Sequence, residues 1–164
     1  MAVSNVIKKA SERLNKVCTV LSVGLLGAMV VVTFVQIICR VFFTALSWSE
    51  ELARYLLVWS TFIGAGCVYK AGGHISVEVV QNLFPPTARK AFRIFVHILC
   101  GILFAIAVVY GIKYMGMVGT QKSAALHIPM KYMYAAIPVG CGIMIVHVIA
   151  LITHILGEKE VEKV

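Results

Sequence analysis

Long runs of apolar residues, separated by short polar segments, make up most of the chain. A transmembrane helix needs about 20 such residues, because each adds ~1.5 Å and the hydrocarbon layer is ~30 Å thick. Residues 17–39 supply 23 residues without a charge. Residues 94–112 and 132–156 form two further runs, the second interrupted only by His147 and His154. Each run predicts a transmembrane helix.

A fourth span is less evident, because residues 55–69 supply only 15 uncharged residues. Ser47 stands three residues before Glu50, which is the spacing of a capping box with Ser47 as N-cap. A helix that begins at Ser47 is long enough to cross the membrane. The pattern therefore predicts an all-α integral membrane fold with four transmembrane helices, at about residues 17–39, 47–69, 87–115 and 130–156.

Basic residues lie mainly on one side of this four-span arrangement. Ten of the fifteen Lys and Arg fall on the side of the two termini, and cytoplasmic loops carry the excess of positive charge. We therefore expect residues 1–16 and 157–164 to be cytoplasmic tails. The ten are Lys8, Lys9, Arg13, Lys16, Lys70, Arg89, Lys90, Arg93, Lys159 and Lys163.

The segment between spans two and three has an amphipathic pattern of its own. On a helical projection of residues 74–84, polar and apolar side chains divide between two faces, which is typical of a short helix lying in the membrane interface. An irregular loop is the alternative. The polar face would carry His74, Glu78, Gln81 and Asn82, and the apolar face Ile75, Val79, Val80, Leu83 and Phe84.

The composition supports lipid as the solvent: 60% of the residues are hydrophobic and 13% are charged, against about a quarter charged in soluble domains. The net charge of +8 occurs in clusters between apolar runs, so it indicates membrane topology and anionic lipid rather than nucleic acid. The chain has no Asp, and none of its seven Glu falls in the middle of a span. No catalytic, substrate-binding, cofactor or metal site is predicted.

Glu50, Glu51 and Arg54 form the most informative polar cluster. At spacings of three and four residues, both acids can pair with the one arginine on a helix surface. The pairing can serve the helix alone or form a polar lock to another subunit. Gly64 would allow a neighbouring helix to approach closely, within the chain or in a partner.

Two alternatives remain open from the residues alone. His97, His147 and His154 lie in spans three and four, and paired histidines in a helical bundle can ligate haem; the chain would then be the membrane anchor of an oxidoreductase. A small multidrug exporter is the second, although it would need an acid within a span. Lys113 is the one intramembrane charge candidate, and its long side chain can extend to the interface.

Several short segments together resemble the small membrane subunit (DctQ-like) of tripartite ATP-independent periplasmic (TRAP) transporters. The most specific are the run Trp-Ser-Glu-Glu-Leu-Ala-Arg at residues 48–54 and Gly-His-Ile at residues 73–75. Further matches are Arg40-Val41-Phe42, Ser123-Ala124-Ala125-Leu126, Ile128-Pro129 and Ile137-Pro138-Val139-Gly140.

This resemblance implies a scaffold subunit in the bacterial inner membrane. A large multi-span partner would hold the sodium and substrate sites, and a periplasmic binding protein would deliver a small organic anion. Trp48, Glu50, Glu51, Arg54 and Gly64 would lie at the partner interface. Docking of the binding protein would fall to Lys122 and Lys131, and binding of phospholipid head groups to Arg89, Lys90 and Arg93.

Overall fold

The structure, a computed structural model, describes the backbone of residues 2–71 and 86–161 and the side chains of residues 7–71, 90–153 and 155. The predicted interfacial helix at 74–84 lies outside these residues. The described helices are α1 (Ala2–Phe42), α2 (Ser47–Lys70), α3 (Pro86–Met117), α4 (Lys131–Tyr134) and α5 (Ala136–Val161).

Four segments of these helices are long and apolar enough to cross a membrane. This confirms the all-α class and the number of spans expected from the hydrophobic pattern. The segments are Ile7–Phe42, Ser47–Lys70, Lys90–Met117 and Lys131–Thr153.

Helix α1 continues without a break through the basic segment before the first apolar run. Its 41 residues span about 61 Å, roughly twice the ~30 Å of a hydrocarbon layer. Ser11, in the basic segment, is only 2% exposed, and a hydrogen bond of 2.9 Å joins its hydroxyl to Nδ1 of His147 on α5. The basic segment is therefore tied to the bundle at this point.

The first turn of α2 differs from the predicted capping box. The N-cap is Leu46, with extended φ and ψ angles and no side-chain cap bond, so Ser47 is the first helical residue. The hydroxyl of Ser49 donates to the Leu46 carbonyl at 2.7 Å, and Glu50 pairs with Arg54 instead of reaching back. The capping-box prediction was wrong, although the helix does begin at Ser47.

The fourth predicted span corresponds to two helices separated by a turn at Ala135. Pro138 explains the interruption, because a proline lacks the N–H that would bond the carbonyl four residues earlier, and its ring clashes with that carbonyl. The carbonyl belongs to Tyr134, the last residue of α4. Pro138 itself lies in the first turn of α5, where proline is tolerated.

Helix α5 is the centre of the bundle. It packs against α1, α2 and α3, whereas within the described residues α1 and α3 do not contact each other. Buried residues of α5 recur along one side: Ala136, Cys141, Met144, Val148 and Ile155. Helices α1 and α3 are therefore flanks, and both expose large apolar side chains along their length.

Helices α2 and α5 approach each other closely at Gly140. A Cβ atom there would lie 2.7 Å from the Cβ and 2.9 Å from the backbone oxygen of Phe62. Backbone atoms cannot move aside as a flexible side chain can, so only glycine fits. Gly142 on the same helix has no such neighbour within 4 Å.

We expect Gly140→Ala to force α2 and α5 apart and to destabilise the fold by about 1–3 kcal/mol, the usual cost of overpacking. Thermal unfolding in detergent would measure the loss. Gly142→Ala is the matched control, because it adds the same methyl group on the same helix in open space. Equal melting temperatures for the two variants would contradict the close approach.

Candidate functional site

One end of the bundle, here called the loop end, contains the connection between α1 and α2 and the segment 118–135. Residues 118–130 of that segment, the clamped loop, form a compact structure. The amide of Ser123 donates to the Ile128 carbonyl at 2.9 Å, and that of Met130 donates to the Gln121 carbonyl at 2.9 Å. His127 adopts a left-handed backbone with φ of 55°, which turns the chain back on itself.

Glu51 on α2 holds the clamped loop against the bundle. Its Oε2 accepts hydrogen bonds from the backbone amides of Ala125 and Leu126, both at 2.9 Å. Its Oε1 accepts a third from the Tyr55 hydroxyl at 2.6 Å. A carboxylate with several donors aimed at it forms strong, charge-assisted bonds, so the loop is fixed to the first turns of α2.

Two further contacts join α2 to the same region. The hydroxyl of Tyr55 also lies 3.5 Å from the sulfur of Met130. One turn further along α2, the indole N–H of Trp59 donates to the Tyr132 carbonyl at 3.2 Å. The clamped loop and α4 are thus both in contact with α2.

Glu50 and Arg54, on the same first turns of α2, form an ion pair on the surface. Their side chains are 2.9 Å apart and about two-thirds exposed, which confirms the predicted pairing at four residues. The prediction that Glu51 shares the same arginine was wrong, because its carboxylate is engaged by the loop. Trp48, 42% exposed, lies on the first turn of the same helix and remains available to a partner.

Lys122 and Lys131 are exposed at the same end. Lys122 forms an isolated backbone bridge with Pro129 across the clamped loop. The ammonium of Lys131 lies 5.2 Å from the centre of the Tyr132 ring, within the range of a cation–π contact. Both predicted docking residues therefore sit on a rigid support.

The predicted interface residue Gly64 packs within the chain. A Cβ atom there would lie 2.9 Å from Oγ of Ser22 on α1, and that hydroxyl donates to the Ser60 carbonyl at 3.0 Å. Its small size therefore serves the contact between α1 and α2.

The predicted lipid-binding residues lie at the opposite end, at the start of α3. Lys90 and Arg93 are half-buried, and the side chain of Arg89 is outside the described residues. Nothing in the structure tests their predicted contact with lipid.

Two of the three histidines proposed for haem contact protein side chains in the structure. Nδ1 of His97 lies 2.8 Å from the Tyr69 hydroxyl, and Nδ1 of His147 is bonded to Ser11. The side chain of His154 is outside the described residues. Both contacts involve only Nδ1, and metal-ligating histidines also bond protein groups through their other ring nitrogen; these contacts therefore give the haem alternative no support and no contradiction.

Sequence reasoning missed Tyr55 and the loop amides as partners of Glu51. The loop sequence Ser123-Ala124-Ala125-Leu126 carried a signal only as part of the family resemblance. Backbone amides have no side-chain chemistry that a pattern could reveal, so their role needed the folded chain.

Residues 29–157 match the sequence profile of the family described as tripartite ATP-independent periplasmic transporters, DctQ component. The chain belongs to this family. It is a TRAP transporter small permease subunit and not an enzyme. The match includes the Glu51 clamp, the clamped loop and most of the four candidate spans.

Three relatives of this DctQ-family chain differ in how much of their own length the similarity covers. A putative TRAP transporter small permease protein of Haemophilus influenzae is 28% identical over 88 residues, covering 53% of this chain and 55% of the relative. A second protein of that description from the same organism is 28% identical over 130 residues, covering 78% of each. The sialic acid TRAP transporter permease protein SiaT of Haemophilus influenzae is 31% identical over 105 residues, which are 63% of this chain but 17% of SiaT.

We expect Glu51→Ala to release the clamped loop of this DctQ subunit, because two backbone amides lose their acceptor. Hydrogen exchange at Ala125 and Leu126 should become faster, while exchange in the middle of α5 stays slow. Glu50→Ala removes the neighbouring carboxylate and should leave both amides protected. Unchanged exchange in Glu51→Ala would show that the carboxylate does not hold the loop.

Proposed function

We propose that this DctQ-family chain is the scaffold subunit of a secondary-active TRAP transporter, which anchors a large transport subunit in the bacterial inner membrane. The observation that carries the proposal is the position of the acidic side chains that the structure describes. Ion-coupled transport generally places ionisable groups in the membrane facing a cavity. Of the acidic side chains described, Glu51 is engaged by the loop, Glu50 pairs with Arg54, and Glu12 lies in the basic segment. Sodium and substrate would thus bind the partner.

The exposed surfaces of the two flanking helices are consistent with binding of a large membrane partner. Helices α1 and α3 bury few of their residues inside the chain, so one flank can take a partner and the other lipid. The relative SiaT points the same way. A sequence similar to this chain makes up a small part of that permease protein, which supports a working association between the small and large parts.

The orientation follows from the positive charge. Lys8, Lys9, Arg13 and Lys16 on α1 and Lys70 on α2 lie at the end opposite the clamped loop. With both termini in the cytoplasm, the loop end faces the periplasm. Lys122 and Lys131 are then presented to a periplasmic binding protein, and Arg89, Lys90 and Arg93 to phospholipid head groups of the inner leaflet.

A small organic anion is the substrate class we propose. SiaT is named for sialic acid, and the family resemblance implies the same class of substrate. Selection of the particular anion would fall to the partner proteins.

Affinity purification of the tagged chain from its native membrane tests the scaffold role. We expect a much larger multi-span protein to co-purify in equal amount. A double exchange, Glu50→Arg with Arg54→Glu, then tests whether the exposed pair touches that partner. The exchange keeps the helix pair, worth only a few tenths of a kcal/mol, but reverses the surface charges.

If the pair forms the interface, the double exchange should lower the yield of the partner several-fold while the subunit itself remains folded. Wild-type yield would assign the pair to the helix alone. A wild-type chain that emerges alone, or only with copies of itself, would contradict the scaffold role.

The docking role of the lysines makes a separate prediction. Lys122→Glu combined with Lys131→Glu should reduce binding-protein-dependent uptake by about tenfold or more, because like charges would face each other across the interface. Lys122→Arg with Lys131→Arg keeps the charge and should retain uptake. Uptake assays in reconstituted vesicles measure both, and full uptake by the glutamate variant would exclude docking at these residues.

A further inference from the structure

A groove between α3 and the start of α5 contains Lys113. The groove has a volume of about 610 Å³, and apolar and aromatic side chains form most of its walls. Its remaining lining residues are Ala107, Tyr110, Gly111, Tyr114, Met117, Tyr134 and Ile137. Lys113 thus faces a cavity that opens on the outside of the bundle.

Among the side chains that the structure describes, no acid forms an ion pair with Lys113. The acidic side chains that the structure describes are Glu12, Glu50 and Glu51, and none forms an ion pair with it. Glu50 is paired with Arg54 and Glu51 is held by the clamped loop. A cation in a membrane-spanning helix is stabilised by a negative partner or by water at the interface, so a negative group from outside this part of the chain can bind Lys113.

The position of Lys113 fits a lipid head group. It lies four residues before Met117, the last residue of α3, and therefore about 6 Å from the helix end along the axis. A lysine at this depth extends its ammonium to the interface while its stem stays in apolar surroundings. Tyr114 and Tyr134, whose rings meet edge to face at 4.8 Å, lie in the same wall, and tyrosine favours this interface.

We propose that this groove binds one anionic phospholipid, with the phosphate against Lys113 and an acyl chain along the apolar wall. A lipid matches both features of the groove, because the cation of Lys113 can bind the phosphate and the apolar walls can take part of an acyl chain. An irregular peptide in the groove would leave backbone groups without partners in the membrane. The proposal does not depend on the scaffold role.

Lipid retention tests the proposal. The full-length chain would be reconstituted in nanodiscs of phosphatidylcholine and phosphatidylglycerol in equal parts and released into mild detergent. Native mass spectrometry then counts the lipids that stay bound. We expect one phosphatidylglycerol on the wild-type chain and about fivefold less on Lys113→Gln, since one basic residue near a membrane surface has an effect of that size.

Three variants separate the site from bulk effects. Lys113→Arg keeps the charge and should retain the lipid, which also shows that the position tolerates substitution. Ala107→Phe fills the groove while Lys113 stays, and it should lose the lipid. Arg40→Gln removes a positive charge on α1 at the same end of the bundle, away from the groove, and should have no effect.

Two results would overturn the proposal. Equal retention by wild type, Lys113→Gln and Ala107→Phe, or an equal loss in Arg40→Gln, would show that the lipid is bound by general surface charge. A wild-type chain without retained lipid, whose large co-purifying protein is lost in Lys113→Gln, would assign the groove to a carboxylate of a partner subunit.

Discussion

The carboxylate of Glu51 joins α2 to the clamped loop at the loop end of the bundle. It accepts two backbone amides from the loop that follows α3 and a hydroxyl from its own helix. The loop therefore has a fixed position on α2, and the exposed lysines are fixed with it. A neutral side chain that cannot accept these bonds would leave the amides without partners at the edge of the membrane, where unsatisfied backbone groups are costly.

Within the membrane, helix α5 determines how the other helices pack. Gly140 lets it approach the backbone of Phe62 on α2, and its buried side supports α1 and α3 as well. Polar side chains of the bundle, such as Ser22 and Ser60, bond between or within helices. The contacts of Gly140 and Ser22 join neighbouring helices of the described bundle.

Charged side chains at the loop end lie in three different environments. Glu51 is engaged inside the chain, whereas Glu50 and Arg54 neutralise each other on the surface. Lys113, far away in sequence, faces an apolar groove. Charged residues near one end of the bundle therefore lie in three different environments.

The sequence alone determined three of the four spans, because about 20 apolar residues are needed to cross the membrane and three stretches of the chain have about that length or more. For the fourth span the sequence supplied only 15 uncharged residues, and a helix start at Ser47 was needed to reach the full length. The sequence also determined the Glu50–Arg54 pair, since residues four apart are neighbours on any helix. Only the tertiary structure decided the role of Glu51, whose amide partners lie 74 and 75 residues away, and the packing of Gly64 against Ser22. Spacing along a helix specifies near neighbours; which distant groups meet depends on how the helices pack.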